Sequence, residues 1–116
     1  VTDSLTPDEV RRALGGKTKR RENPETAIKR QVKQYLVING WCVWNLWQGQ
    51  FSEKGIADLV ALRDGRTVWV EIKTATGKQS PDQVAFEEAI KRAGGEYHVS
   101  RGIDDLGWAG RGEVRP

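Results

Sequence analysis

The chain has 116 residues, a net charge of +3, 37% hydrophobic and 30% charged side chains, a balance that suits one compact domain with a modest core and argues against a second. The small basic excess permits a polyanionic partner without demanding one. A single cysteine, Cys42, excludes an internal disulfide, the lone His98 has no zinc-spaced Cys or His around it, and no apolar run approaches the roughly 18 residues of a membrane-spanning helix. With the polar opening VTDSLTPDEV, which is no secretory signal, the expected location is the cytosol, the host's if the chain is phage-encoded.

In chain order, TPDE predicts a short helix with Thr6 as cap, Pro7 in the first turn and Glu9 closing a capping box, ending near Gly15 and Gly16. The cluster KTKRRE follows, with Lys17, Lys19, Arg20 and Arg21. It has no apolar periodicity and reads either as a contact to backbone phosphates or as a solvated connector. Next, NPE gives Asn23 as a cap, Pro24 at the first helical position and Glu25 where the helix dipole favours an acid. Ile28, Val32, Tyr35 and Leu36 recur at helical spacing, so a buried stripe runs to about Ile38, before Asn39-Gly40. Glu25 stands three residues before Ile28, on the edge of that inward face, or serves only the dipole.

The aromatic stretch Trp41 to Trp47 predicts a strand with tryptophans on both faces; Trp41, Trp44 and Trp47 offer rings to stack on bases or to form a dimer face, with at least one of them in the core. After a loop over 48–55 come two strands, ADLVALR and RTVWVEIK, joined by Asp64-Gly65, a strong hairpin signal. The loop TATGKQ, with Lys78, leads to a second helix. Ser80 is its cap, Pro81 its first residue, Gln83 the capping-box partner and Gly94 the stop, with Phe86, Ala89, Ile90 and Ala93 facing inward. EYHVS reads as the last strand, in which His98 is a packed or edge residue, and DDLGW as a helical turn. The order α-β-β-β-α-β predicts an α/β fold, a central mixed sheet flanked by helices.

The hairpin register places a chemically unusual group. If Asp64 and Gly65 are the loop, Arg63 pairs with Arg66, Val60 with Trp69, and Asp58 with Glu71. Directly opposed residues hold their Cβ atoms about 4.5–5.5 Å apart, and like charges there repel. Lys73 shares the face of Glu71, while Val68, Val70 and Ile72 point the other way, into the core. Each residue alone has a plainer reading, Glu71 and Lys73 as an exposed ion pair and Asp58 as a strand start. Together they suggest two carboxylates that share a hard divalent cation such as magnesium, with the Ile72 carbonyl completing the protein's ligands. Metal-assisted phosphodiester hydrolysis fits that set, with Lys73 orienting water and Glu25 holding a second ion or its water. Gln83 is explained by its capping box or by a role beside Lys73.

Glu25, GIAD ending in Asp58, EIK from Glu71 to Lys73, and the Ser80, Gln83, Phe86 spacing together resemble the PD-(D/E)xK nuclease superfamily, and within it the VRR-NUC branch, from about Pro24 to Leu106. The resemblance implies a restriction-endonuclease-like core at 23–108, behind an N-terminal helical appendage and basic connector at 1–22 and ahead of a tail at 109–116. It implies a Mg2+- or Mn2+-dependent endonuclease acting on DNA, with Asp58 and Glu71 as metal ligands, Lys73 as the catalytic lysine, and Glu25 and Gln83 in support. Stand-alone members of the family are similar to homodimeric enzymes that cut branched DNA such as Holliday junctions. Many members carry proline where this chain has Ala57. The alternatives are a non-catalytic nucleic-acid-binding module that keeps the fold, or a flap- or restriction-type nuclease. Expected DNA contacts are Lys17, Lys19, Arg20, Arg21 and Lys78.

Overall fold

The computed structural model describes residues 5–14, 22–49 and 52–110, so the basic cluster of Lys17, Lys19, Arg20 and Arg21 lies outside the described residues. Helix α1 spans Pro7–Leu14, α2 Pro24–Ile38 and α3 Pro81–Arg92; strands are β1 Cys42–Asn45, β2 Leu59–Arg63, β3 Arg66–Ile72 and β4 Glu96–Ser100. No helix among the described residues is long and apolar enough to cross a membrane.

The helix starts follow their caps. The Thr6 hydroxyl accepts from Glu9 N while the Glu9 carboxylate accepts from Thr6 N, and Asn23 accepts from Glu25 N ahead of Pro24. Each such cap satisfies an amide that the helix itself leaves without a partner. The sheet runs β1-β2-β3-β4, antiparallel across the first three strands and parallel between β3 and β4. The Asp64-Gly65 turn has φ of 51° and 79°, both positive, as the tight two-residue hairpin turn requires. Arg63 therefore pairs with Arg66 and Val60 with Trp69, the register expected from the sequence.

Alternation along β3 divides the molecule into two sides. Val68, Val70 and Ile72 are fully buried beneath α2, against Val32, Leu36 and Leu59. Complete burial of each such side chain contributes about 1.5–3 kcal/mol. The other side carries Trp69 and Glu71 toward α3, where Phe86 meets Trp69 and Tyr97 with ring centroids 5.6 and 6.2 Å apart. This side is thinner: α3 has no fully buried residue, and Ala89 and Ala93, expected to face inward, are exposed. The cover comes from the half-buried Gln83, Phe86, Glu87 and Ile90, because α3 lies over β3 and β4 and leaves β1 open.

Both ends of the described chain pack against the main core. Val10 of α1 is fully buried in the main core, and Arg11 pairs with Asp104. The predicted turn at DDLGW is two short 3-10 turns, Ile103–Asp105 and Gly107–Ala109. Ile103, Leu106 and Ala109 are core residues, and the Trp41 indole donates to the Ala109 carbonyl at 2.9 Å. Trp41 is thus the core tryptophan, and β1 begins after it. His98 is packed as expected, stacked on Trp108 at 4.9 Å and bonded to Glu96.

Candidate active site

Where the β2–β3 ladder ends, side chains take over from the backbone. Asp58 precedes β2, and its amide donates to the Val70 carbonyl at 3.1 Å. Its carboxylate Oδ2 then accepts the Ile72 N–H at 2.8 Å, so the side chain occupies a position that a strand carbonyl would otherwise fill. Asp58 is held against Glu71 by this bond.

Glu71 is 1% exposed. Its Oε2 accepts from the Gln83 amide at 2.7 Å and faces the Lys73 ammonium at 3.6 Å. Its Oε1 is buried with no partner among the described residues. Burial pushes its pKa up to about 8, the neighbouring Asp58 carboxylate adds to the rise, and Lys73 opposes it. The two acids stand close enough for a protonated Glu71 to hydrogen-bond to Asp58. The reading of Glu71 and Lys73 as an exposed surface pair is overturned, since the acid is sealed under α3 and Lys73 has a side chain only 13% exposed.

Gln83 closes its capping box with one side-chain atom and contacts Glu71, rather than Lys73, with the other. Its Oε1 accepts from Ser80 N at 2.8 Å and the Ser80 hydroxyl accepts from Gln83 N, completing the capping box. Its Nε2 is thereby aimed at Glu71. Gly55 lets this happen: with φ of +78°, a Cβ placed there would lie 2.2 Å from the Asp82 carbonyl oxygen. Only glycine brings the loop so close to the start of α3. A polar cleft of about 370 Å³ opens there, lined by Gln48, Lys54, Gly55, Ser80, Asp82 and Gln83. A larger groove, about 460 Å³, runs along Arg30, Lys33 and Val37 on α2; neither cavity is lined by Asp58 or Glu71, so chemistry, rather than size, marks the site.

The structure thus brings together Asp58, Glu71, Lys73 and Gln83. Glu25 sits exposed in the first turn of α2, and among the described residues no third carboxylate, histidine or cysteine joins the pair in a group that could hold a metal. The same helix does border this end of the sheet: Thr26, Lys29 and Lys33 line a groove with Asn45, whose partner Leu59 follows Asp58. Ile72 is fully buried, with its carbonyl between the two charged residues of EIK. Lys78 is exposed on the β3–α3 loop.

Sequence reasoning missed two contributors. The Ser100 carbonyl accepts the Lys73 N–H at 3.0 Å, and Arg101 Nη1 donates to the carbonyls of Thr74 and Gly77 at 2.6 and 2.7 Å, bracing the loop that follows Lys73. Both act through the parallel pairing of β4 with β3, which no local pattern announces.

An orphaned buried oxygen beside a second carboxylate, with oxygen donors and an amine around them, fits a hard divalent cation. No family model and no curated protein matches the chain. Among solved structures, one described as a "VRR_NUC domain" is similar over 73% of this chain and 91% of its own, with a TM-score of 0.64 and 23% identity. The sheet order, the flanking helices and that likeness agree: the protein has the restriction-endonuclease-like fold of a VRR_NUC domain.

Proposed function

We propose that the chain is a DNA endonuclease that hydrolyses phosphodiester bonds with a bound magnesium or manganese ion, acting as a homodimer on branched DNA such as four-way junctions. The observation that carries the reading is Glu71 Oε1, a buried carboxylate oxygen without a partner among the described residues, on an acid that adjoins Asp58. Burial of such an atom costs stability, and a cation shared with Asp58 offsets that cost. Support for nuclease chemistry comes from the description of the similar structure as a VRR_NUC domain.

Asp58, Glu71 and the Ile72 carbonyl would hold the ion, and Glu25 would serve a second ion or its water. When bound, the metal supplies Lewis-acid polarisation of the phosphate and a lowered pKa for water. The protein's own groups do the positioning. The Ile72 amide fixes Asp58 and the Gln83 amide fixes Glu71, so neither acid has to reorganise during the reaction. Lys73 orients the attacking water and offsets the negative charge that develops on the phosphate. The water oxygen bonds to phosphorus as the bond to the leaving sugar oxygen breaks, and the proton that water loses passes through solvent to that oxygen. Lys78 and the cluster of Lys17, Lys19, Arg20 and Arg21 contact flanking phosphates. Symmetric cutting of a junction needs two sites, which a two-fold pair of chains provides.

Cleavage of an end-labelled four-way junction with and without magnesium, beside Lys73→Ala, tests this reading. The expected result is metal-dependent nicking that falls by at least about a hundredfold in the variant. Binding without products would identify a non-catalytic DNA-binding module. Equal cutting of a linear duplex would remove the junction claim, and a monomer in sedimentation while cutting would remove the dimer.

A further inference from the structure

The two long helices both begin at the end of the sheet that carries the acids, and they differ in charge. Gln83 of α3 touches Glu71, while Thr26 of α2 lines a cavity with Asn45, the last residue of β1. Helix α2 carries Lys29, Arg30 and Lys33 against Glu25, whereas α3 carries Asp82, Glu87 and Glu88 against Lys91 and Arg92. The cavities repeat the difference. Two adjoin along α2, about 460 and 240 Å³, sharing Arg30 and Lys33, and among the described residues no carboxylate lines either. The cleft of about 370 Å³ at the start of α3 instead sets Glu53 and Asp82 against Lys54. Arg30 is held by Glu22. Lys29 and Lys33, one turn apart and half-buried, have no side-chain partner among the described residues.

We infer that the groove along α2 is the track for the phosphate backbone of the DNA arm flanking the cut, with Lys29 and Lys33 as its phosphate contacts. The inference rests on the nuclease reading and says on which side of the site the DNA lies. From Val37 to Thr26 the groove follows about 16 Å of helix, roughly half a turn of duplex. It is on the α2 side of the sheet, opposite Glu71, and reaches the sheet's end at Asn45. The Asn45 backbone is about 6 Å from that of Asp58, one strand across and one residue along. A strand leaving α2 therefore crosses the end of the sheet and presents its next phosphates to Asp58, Glu71 and Lys73, while the acids along α3 disfavour a path over that helix. A polyanion supplies the counter-charges that Lys29 and Lys33 lack. Among the described residues no aromatic side chain lines either α2 cavity, so the groove holds phosphates and sugars, reads no bases and takes arms of any sequence. Val37, 53% exposed, offers the deoxyribose an apolar surface. A second copy of this chain fits less well, because two-fold pairing of α2 would set these lysines near their own copies.

Fluorescence anisotropy with a short linear duplex, titrated with potassium chloride in chelator so that nothing is cut, counts the phosphates that the protein neutralises. Lys29→Ala with Lys33→Ala is expected to make the slope of log K against log salt shallower by about 2 and to weaken binding about tenfold at low salt, whatever the sequence. Lys29→Arg with Lys33→Arg should restore both, and Lys54→Ala, in the α3 cleft, should change neither. A second readout uses the unaltered protein: duplex should protect Lys29 and Lys33, but not Lys54, from an amine-reactive reagent, as read by mass spectrometry. The inference is overturned by an unchanged slope, by an equal change in Lys54→Ala, or by lysines that label as fast with duplex as without it. Protection by oligoglutamate but not by duplex would also overturn it and give the groove to an acidic protein partner. Protection and a shallower slope with no product in magnesium sink the nuclease reading and leave the track. Product in magnesium with both lysines unprotected does the reverse, and neither binding nor product sinks both.

Discussion

Replacing Glu71 by glutamine tests the electrostatics of the site without touching its shape. The amide side chain retains the acceptor for Gln83 but has no proton to lose. In the parent the folded-state pKa is raised, from 4.5 to about 8, chiefly by burial. Between those values the folded state holds a proton that the unfolded chain has released, so metal-free stability falls as pH rises and levels off above about 8. At about 1.4 kcal/mol per unit the shift caps the loss near ~5 kcal/mol. Water entering the cleft relieves part of it, so a net difference on the order of 2–4 kcal/mol is expected. Urea unfolding in chelator, for parent and variant at about pH 5 and about pH 9, reads this directly. The two proteins should be nearly equally stable in acid, with Glu71→Gln the more stable in base. Added magnesium should then raise the parent toward the variant and leave the variant unmoved. Parallel stability profiles across that range would refute the claim that Glu71 is a strained, buried acid awaiting a cation.

Glu96, held at about 2 chiefly by the Arg66 guanidinium, contributes stability that is present above 4.5 and lost as pH falls toward 2. Arg66→Gln should flatten the acid limb of the unfolding profile, and an unchanged limb would contradict this. Gly55→Ala meets the Asp82 carbonyl at 2.2 Å and a positive φ, so it should cost about 1–3 kcal/mol and, by shifting Gln83, slow cleavage as well; an unchanged melting temperature would speak against it. Ser80→Ala removes only a cap, about 1 kcal/mol. Gln83→Ala removes the returning cap bond and the Glu71 contact and should cost about 1 kcal/mol more, with equal losses counting against the double role. Arg101→Ala frees the loop after Lys73 and should lower kcat more than it changes the melting temperature; a melt that falls while kcat holds would limit Arg101 to a structural role.

Local chemistry was legible from sequence wherever one short stretch decides it. Asn23, Ser80 and Asp64-Gly65 each carry their own capping or turn signal, and the hairpin count fixed which acids face each other. Burial was less legible, because the pattern of α3 alone cannot tell how far the helix overlaps the sheet. Ala89 and Ala93 sit at inward spacing, yet the helix covers only half the strands and leaves them in solvent. The same cause hid the depth of Glu71: the lid over it is Gln83, 12 residues away. Val10, Ser100 and Arg101 depend on contacts between distant segments, and nothing in their neighbourhoods distinguishes them from ordinary surface positions. At the site, the acids and the lysine were visible as a cross-strand group, while the amides that hold them in place became visible only in three dimensions.

Strand β3 and the residue after it interleave hydrophobic anchors and reactive groups one residue at a time, Val70 and Ile72 on one side, Glu71 and Lys73 on the other. Substitutions can therefore tune either side independently across generations. Loss or gain of a single codon within the strand cannot, since it would turn the charges into the apolar core beneath α2 and the aliphatic residues toward the site in one step. The length of this segment should accordingly tolerate far less variation than its composition, and natural diversity in the protein should collect in the connections around it.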